Sequence, residues 1–131
     1  MFDWLKDYQK LKQEIAYLEY NLENTEAELR RWISGDLRYV SLTQDSQGAK
    51  VEEVIEKIKD ELAFKQERMR NLVHLISKFK GLENQILKKK YIDGMTLEEI
   101  AENMNYSSSY IYKKHAEIIK RIKFAEGLSL N

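Results

Sequence analysis

Cysteine and proline are absent from the 131 residues, and glycine occurs only five times. Without cysteine there is no disulfide scaffold, no thiolate-bound zinc and no thiol nucleophile, and the chain suits a reducing compartment. Without proline, and with little glycine, the backbone has few built-in breaks. Its richness in Leu, Ile, Glu, Lys and Arg, which lose little rotamer freedom in a helix, predicts an almost entirely helical chain and disfavours sheet folds. No stretch approaches the roughly 20 apolar residues that a membrane span requires. Met1 to Lys12 already contain Asp3, Lys6, Asp7, Lys10 and Lys12, so no apolar signal region lies there, and the expected location is the cytoplasm. The length fits one domain, or two small ones sharing a core.

Nor is one sign of charge in excess: 22 basic residues balance 22 acidic ones. The balance conceals a gradient. Residues 1–79 hold 13 basic and 15 acidic side chains, a net −2, whereas residues 80–124 hold 9 and 6, a net +3. The C-terminal third is therefore the part suited to an anionic partner.

Trp4, Tyr8, Leu11, Ile15, Leu18, Leu22, Thr25, Leu29 and Trp32 follow alternating spacings of four and three, the a/d stripe of a coiled coil, with one polar interruption at Thr25. Val51, Ile55, Ile58, Leu62, Lys65, Met69, Leu72, Ile76 and Phe79 repeat the rule, interrupted at Lys65. The spacing predicts helices over about 2–33 and 50–79, each about 45 Å long for ~30 residues. The polar, turn-rich loop 34–49 joins them, with Gly35 placed for a left-handed helix end. Folded back antiparallel, the stripes pair Trp32 with Val51, Thr25 with Ile58, Leu22 with Leu62, Leu18 with Lys65, Ile15 with Met69 and Trp4 with Phe79. Pairing between chains is the competing arrangement. Tyr17, Tyr20, Val54, Phe64, Val73 and Leu75 lie off the stripe and offer a second surface for self-association or for docking the C-terminal part. Glu26 with Arg30, Glu53 with Lys57 and Glu61 with Lys65 read as solvated ion pairs on exposed faces. Tyr39, Val40 and Leu42 are the only apolar content of the loop.

Gly81 breaks the second long helix, and Leu82 to Tyr91 read as a short helix with Leu82, Ile86 and Leu87 inward and Lys88, Lys89 and Lys90 at its end, where cations suit the dipole. Asp93 and Gly94 form a turn. Thr96-Leu-Glu-Glu99 is a capping box, with hydroxyl and carboxylate expected to satisfy backbone donors reciprocally. The helix it opens carries Leu97, Ile100, Ala101 and Met104 inward and stops at Asn105, which tolerates a left-handed backbone. Tyr106 is expected to turn inward. Ser107 caps a last helix, 108–124, with Ile111, Ile118, Ile119 and Ile122 on one side and residues 126–131 as a tail.

This order of devices resembles the DNA-binding helix-turn-helix, most closely that of region 4 of bacterial sigma factors. Counted from Leu97, the apolar residues Ile100, Met104, Tyr106 and Ile111, the small Ala101 and the turn residue Asn105 occupy the positions the motif requires. Lys114 departs from it, standing where an apolar residue is usual. Tyr91-Ile-Asp-Gly-Met-Thr-Leu-Glu-Glu-Ile-Ala101 looks like the start of many sigma-like and phage-encoded domains of this kind. Tyr106-Ser-Ser-Ser-Tyr-Ile-Tyr-Lys-Lys-His115 is similar to small phage and prophage regulators of the RinA and ArpU type. The likeness covers residues 83–124 and implies a helix-turn-helix domain there (82–125). With the composition and the two stripes, the expected fold is all-α, a long antiparallel helical hairpin (1–79) followed by that domain.

It further implies a sequence-specific transcriptional regulator whose last helix enters the major groove of double-stranded DNA. The outward residues are then Ser108, Ser109, Tyr110, Tyr112 and Lys113. Ser109 and Lys113 stand one turn apart, so both face base edges, and Tyr112 meets a thymine methyl or a phosphate. Lys88, Lys89, Lys90, Lys120, Arg121 and Lys123 add backbone attraction, although adjacent lysines about 100° apart cannot all point one way. Expected partners are duplex DNA, RNA polymerase and further copies of the chain joined through the hairpin, with no membrane. Two alternatives stand beside this: a DNA-packaging recognition protein of the small-terminase kind, and a protein-interaction scaffold that binds no DNA.

No catalytic constellation emerges, and the chain is expected not to be an enzyme. His115 continues the Ile111 to Ile118 stripe and reads as a packed histidine. His74 has Arg70 and Lys78 at helical spacing rather than metal ligands. Scattered glycines exclude a phosphate loop, and Glu98, Glu99 and Glu102 are explained by helix-start electrostatics. No cofactor is expected.

Overall fold

A computed structural model describes residues 5–33 and 44–130, with only the backbone of residues 44–47, 129 and 130. The fold is all-α: 89% helical, with five α-helices and no strand among the described residues. In chain order they are α1 (Tyr8–Ile33), α2 (Gln44–Ser77), α3 (Gly81–Leu87), α4 (Leu97–Met104) and α5 (Ser108–Leu130), with one π-helical turn, Lys88–Ile92, following α3. No described helix is long and apolar enough to cross a membrane. The chain divides into two compact units, Lys12–Arg68 and Met1–Leu11 with Met69–Asn131.

The Lys12–Arg68 unit holds most of both long helices. Ile15, Leu18, Leu22, Thr25, Leu29 and Trp32 on α1 and Ile58, Leu62 and Lys65 on α2 are half-buried, and Val51 and Ile55 are buried. The seven-residue pattern therefore marks the covered face. Thr25 satisfies itself locally, its hydroxyl donating to the Asn21 carbonyl at 2.7 Å. Lys65 is only 17% exposed and pairs across the seam with Glu14 and along its own helix with Glu61 at 3.2 Å. The Glu61–Lys65 pair thus stands at the edge of the seam, with Lys65 turned into it and Glu61 exposed, unlike Glu53–Lys57, which is exposed on both sides at 3.8 Å. The Glu14 carboxylate, chiefly, holds the Lys65 ammonium above its usual range, with Glu61 contributing and burial opposing.

The Glu14 contact also sets direction. From it, α1 runs about 28 Å to Ile33 and α2 runs back about 31 Å to Gln44. Parallel helices would separate those ends by about 60 Å, beyond the roughly 40 Å that the ten intervening residues reach, so the helices are antiparallel. Tyr17, Tyr20, Val54 and Phe64 face solvent.

Helix α2 begins at Gln44, so residues 44–49 are helical rather than loop. Polar residues without a stripe gave no sign of this turn in the sequence, yet Gln, Lys and Ala favour helix enough to extend it backwards. The loop positions 34–43, Gly35, Tyr39, Val40 and Leu42 included, lie outside the described residues, as does Trp4.

In the second unit one core joins elements far apart in sequence. Leu5 and the last turns of α2, through Leu72 and Ile76, pack with Ile86, Leu87, Tyr91, Leu97, Ile100, Ala101, Ile111, Ile118, Ile119 and Ile122. Tyr8, Leu75, Phe79, Leu82 and Met104 cover its edge, so the off-stripe Leu75 docks the C-terminal part, one of the two roles expected of it, whereas Val73 is exposed. Helix α2 ends at Ser77, two residues before the sequence reading, in tightened bonds from Lys78 to Leu75 and Phe79 to Ile76. The Asn84 amide then takes the Ile76 carbonyl at 3.0 Å, satisfying one orphan acceptor of the helix end. Gly81 turns the chain with φ +57°, where a side chain is disfavoured.

Lys88–Ile92 closes as a π turn rather than continuing the α-helix. Asp93 N–H reaches the Lys88 carbonyl at 3.0 Å, and Met95 N–H reaches Lys89 at 2.9 Å. Tyr91 is buried at its end. Helix α5 runs to Leu130, so residues 126–130 are helix rather than tail and Gly127 is carried through it.

Candidate nucleic-acid interface

Thr96 opens α4 with its hydroxyl accepting from Glu99 N–H at 3.1 Å. The box is not reciprocal. The Glu99 carboxylate accepts a hydrogen bond from the Thr96 hydroxyl, at 3.1 Å, instead of one from a backbone donor. Helix α4 ends at Asn105 with φ 61° and ψ 40°, the left-handed conformation, and Tyr106 N–H closes on the Ala101 carbonyl at 2.9 Å. Ala101, Ile100 and Ile111 are fully buried. A small residue at 101 is what lets α4 and α5 approach.

Tyr106 does not turn inward. It is 44% exposed and stacks on Tyr110, ring centroids 5.1 Å apart. A tyrosine is amphipathic enough for either side, and the partner one turn along α5 keeps it outside. Ser107 caps α5, its hydroxyl accepting from Tyr110 N–H at 3.2 Å.

The first turns of α5 present Ser108, Ser109, Tyr110, Tyr112 and Lys113, all exposed. Ser108 with Tyr112 and Ser109 with Lys113 form two rows, each at one-turn spacing. Among the described residues Lys113 pairs with no carboxylate. Tyr112 is engaged: its hydroxyl donates to the Glu98 carboxylate on α4, which lowers the carboxyl pKa and raises that of the phenol. Tyr110 carries the Lys114 ammonium 5.7 Å from its ring centroid, and Lys114 also pairs with Glu117 at 3.8 Å, which accommodates the cation at the motif's apolar position.

The remaining basic residues separate. Arg121 is exposed on α5 and pairs with Glu83 at 2.5 Å, its guanidinium 5.7 Å from the Phe79 ring. Lys88 is exposed beside a groove lined by Val73, Phe79, Lys80 and Asn84, while Lys90 lines a different cleft and Lys89 is half-buried. Lys120 and Lys123 are exposed on α5.

The Lys90 cleft, about 520 Å³, is lined by Lys6, Gln9, Lys90, Tyr91, Gly94 and His115. The Tyr91 hydroxyl and His115 Nε2 share a 2.6 Å hydrogen bond. Burial pushes the Tyr91 phenol up to about 12. Burial, then the charges of Lys90 and Lys6, pushes the imidazole down from its usual value. The sequence marked His115 as packed but gave no sign of Tyr91, 24 residues away, nor of Lys6 and Gln9.

These two shifts make stability depend on pH at either end of the range. Below pH 6.5 the unfolded chain takes up a proton that folded His115 resists, so stability falls with pH until the folded value is passed. Above pH 10 the unfolded chain releases the Tyr91 proton that the fold retains to about 12, so stability falls again. Denaturant midpoints measured across pH are expected to plateau between these limits. His115→Gln should flatten the acid limb, and an acid limb unchanged by that substitution contradicts the assignment.

No group of three or more metal-ligating side chains gathers among the described residues. No protein-family model, curated protein or solved structure matches the chain.

Proposed function

We propose that the chain is a sequence-specific DNA-binding regulator of transcription, of the phage or prophage kind, which reads the major groove with the first turns of α5. The observation carrying this reading is the pair of exposed rows, Ser108 with Tyr112 and Ser109 with Lys113, standing just beyond the left-handed bend at Asn105 while the opposite side of α5 is buried. A helix so mounted fits the groove, where serine and lysine meet base acceptors and phosphates. Lys88, Lys90, Lys120, Arg121 and Lys123 supply backbone attraction, Arg121 beside its contact with Glu83. The antiparallel helices serve self-association or contact with RNA polymerase.

Selection of bound genomic fragments, followed by binding curves at rising salt, tests it. Affinity is expected to fall steeply with salt, and Lys113→Ala to weaken specific binding by about 1–3 kcal/mol with helicity unchanged. One observation favours a second reading, a protein-interaction scaffold. Glu98, Glu99 and Glu102 are exposed on α4, and the Glu98 carboxylate ties down Tyr112 on the reading face, an acidic flank that repels a duplex. Sequence-blind binding, insensitive to salt and to Lys113→Ala, decides for the scaffold.

A further inference from the structure

Tyr112 on α5 and Glu98 in the first turn of α4 form a pair that spans the two helices of the motif, the phenol hydroxyl donating to the carboxylate. Both stay open to solvent: Tyr112 is 46% exposed, and Glu98 is exposed beside it. The Tyr112 hydroxyl, chiefly, then the Glu98 backbone N–H, the Thr96 hydroxyl and the more distant charge of Lys90 hold the Glu98 carboxyl below its usual range. At neutral pH it is therefore a carboxylate, with no hydrogen to donate. The phenol has one hydrogen, already aimed at Glu98, which leaves its oxygen only lone pairs to offer.

What the pair presents outward is a patch of acceptors. A phosphate, itself an acceptor with negative charge, is repelled by it, so Tyr112 does not bond the DNA backbone while Glu98 holds it. Base edges in the major groove divide on the same ground. Guanine shows two acceptors and thymine shows one beside its methyl group, while adenine sets an acceptor next to its amino group. Cytosine alone offers an amino donor with no acceptor at its side. The neighbouring row, Ser109 with Lys113, has the opposite character, since Lys113 pairs with no carboxylate among the described residues and brings donors only.

We infer that Glu98, through the acceptor pair it makes with Tyr112, reads the N4 amino group of one cytosine in the major groove. The inference rests on the groove-reading function proposed for α5 and assigns to it a specificity-determining residue from outside the reading helix. The charge that turns phosphates away thereby selects a base.

The probe is the duplex recovered by selection of genomic fragments, with each base pair replaced in turn and binding measured for the parent chain, Glu98→Gln and Glu98→Ala. At one C·G pair, replacement by T·A is expected to weaken the parent about tenfold or more, because the thymine O4 acceptor then meets the carboxylate. Glu98→Ala is expected to abolish that preference and to leave those at the other pairs intact. Glu98→Gln, which brings an amide donor beside its acceptor, is expected to move the preference at this pair towards adenine, whose N6 and N7 glutamine matches. A contact that merely braces the two helices changes affinity at every pair alike.

A second measurement needs no DNA. Glu98 holds the Tyr112 phenol above its usual value, and the ring resonances of the full chain, followed to alkaline pH, are expected to return towards that value in Glu98→Ala. Circular dichroism establishes that each variant is folded. A Tyr112 titration unchanged in Glu98→Ala overturns the pair, and base preferences identical in all three chains overturn the cytosine contact. Both results leave the Lys113→Ala measurements standing, whereas a selection that recovers no duplex removes the groove-reading function itself, and this contact with it.

Discussion

A fragment comprising residues 82–131 is expected to show little cooperative folding, although it contains every element of the C-terminal motif. Leu5, Leu72 and Ile76 are at most 1% exposed and belong to the same core as Ile100, Ile111 and Ile118. Each buried Leu or Ile contributes about 1.5–3 kcal/mol, so the three together supply about 5–9 kcal/mol. That is comparable with the 5–15 kcal/mol that holds a typical domain together. The cut also removes the Ile76 carbonyl that Asn84 bonds. Far-UV circular dichroism and thermal melting of this fragment beside the full chain give the comparison. A sharp melt with full helicity in residues 82–131 refutes the shared core. A fragment starting at Met69 regains Leu72 and Ile76 and is expected to recover part of the transition.

The second large effect lies at the crossing of α4 and α5. Ile111 is completely buried in the core with Ile100 and Ala101. Ile111→Ala removes three carbons from a position that main-chain packing prevents from collapsing, at a cost of about 2–5 kcal/mol. For a unit of this size that lowers the melting temperature by roughly 10–30 °C. Ile111→Val, which deletes one methyl, is expected to cost about 0.5–1.5 kcal/mol. A melting temperature for the alanine variant within the error of the parent's shows that the two helices are not locked through this residue. The pair of variants also separates stability from recognition, because neither alters the exposed rows.

Local pattern carried far in this chain. The stripes of α1 and α2, the Thr96 and Ser107 caps, the bend at Asn105 and the buried isoleucines of α5 depend on residues within a few turns of one another, and such spacings are visible in sequence. What was hidden depends on distant partners. Leu72 and Ile76 continue the coiled-coil rhythm without a break, so their own spacing does not show that they join the C-terminal core, and only the off-stripe Leu75 beside them pointed there. Arg121 finds Glu83 38 residues away, and His115 finds Tyr91 24 residues away. Tyr106 was ambiguous for another reason: its ring is apolar and its tip polar, and stacking with Tyr110 decided the outcome. The π turn left no trace, since Lys88 to Lys90 suit the end of an ordinary helix equally well. Of the exposed candidates, Ser108, Ser109 and Lys113 follow from periodicity alone, whereas the engagement of Tyr112 by Glu98 needed the geometry of two helices.

Lys65, set between Glu14 and Glu61, has a consequence for how the long helices align. Leucines and isoleucines are nearly interchangeable, and a seam made only of them can slide by a turn with little loss. Here a slide of one turn carries the ammonium away from Glu14 and, in one direction, sets it beside Lys10, a like charge. One cation thereby acts as a detent, rendering the aligned arrangement distinct from its shifted neighbours where greasy contacts alone would leave them nearly equal.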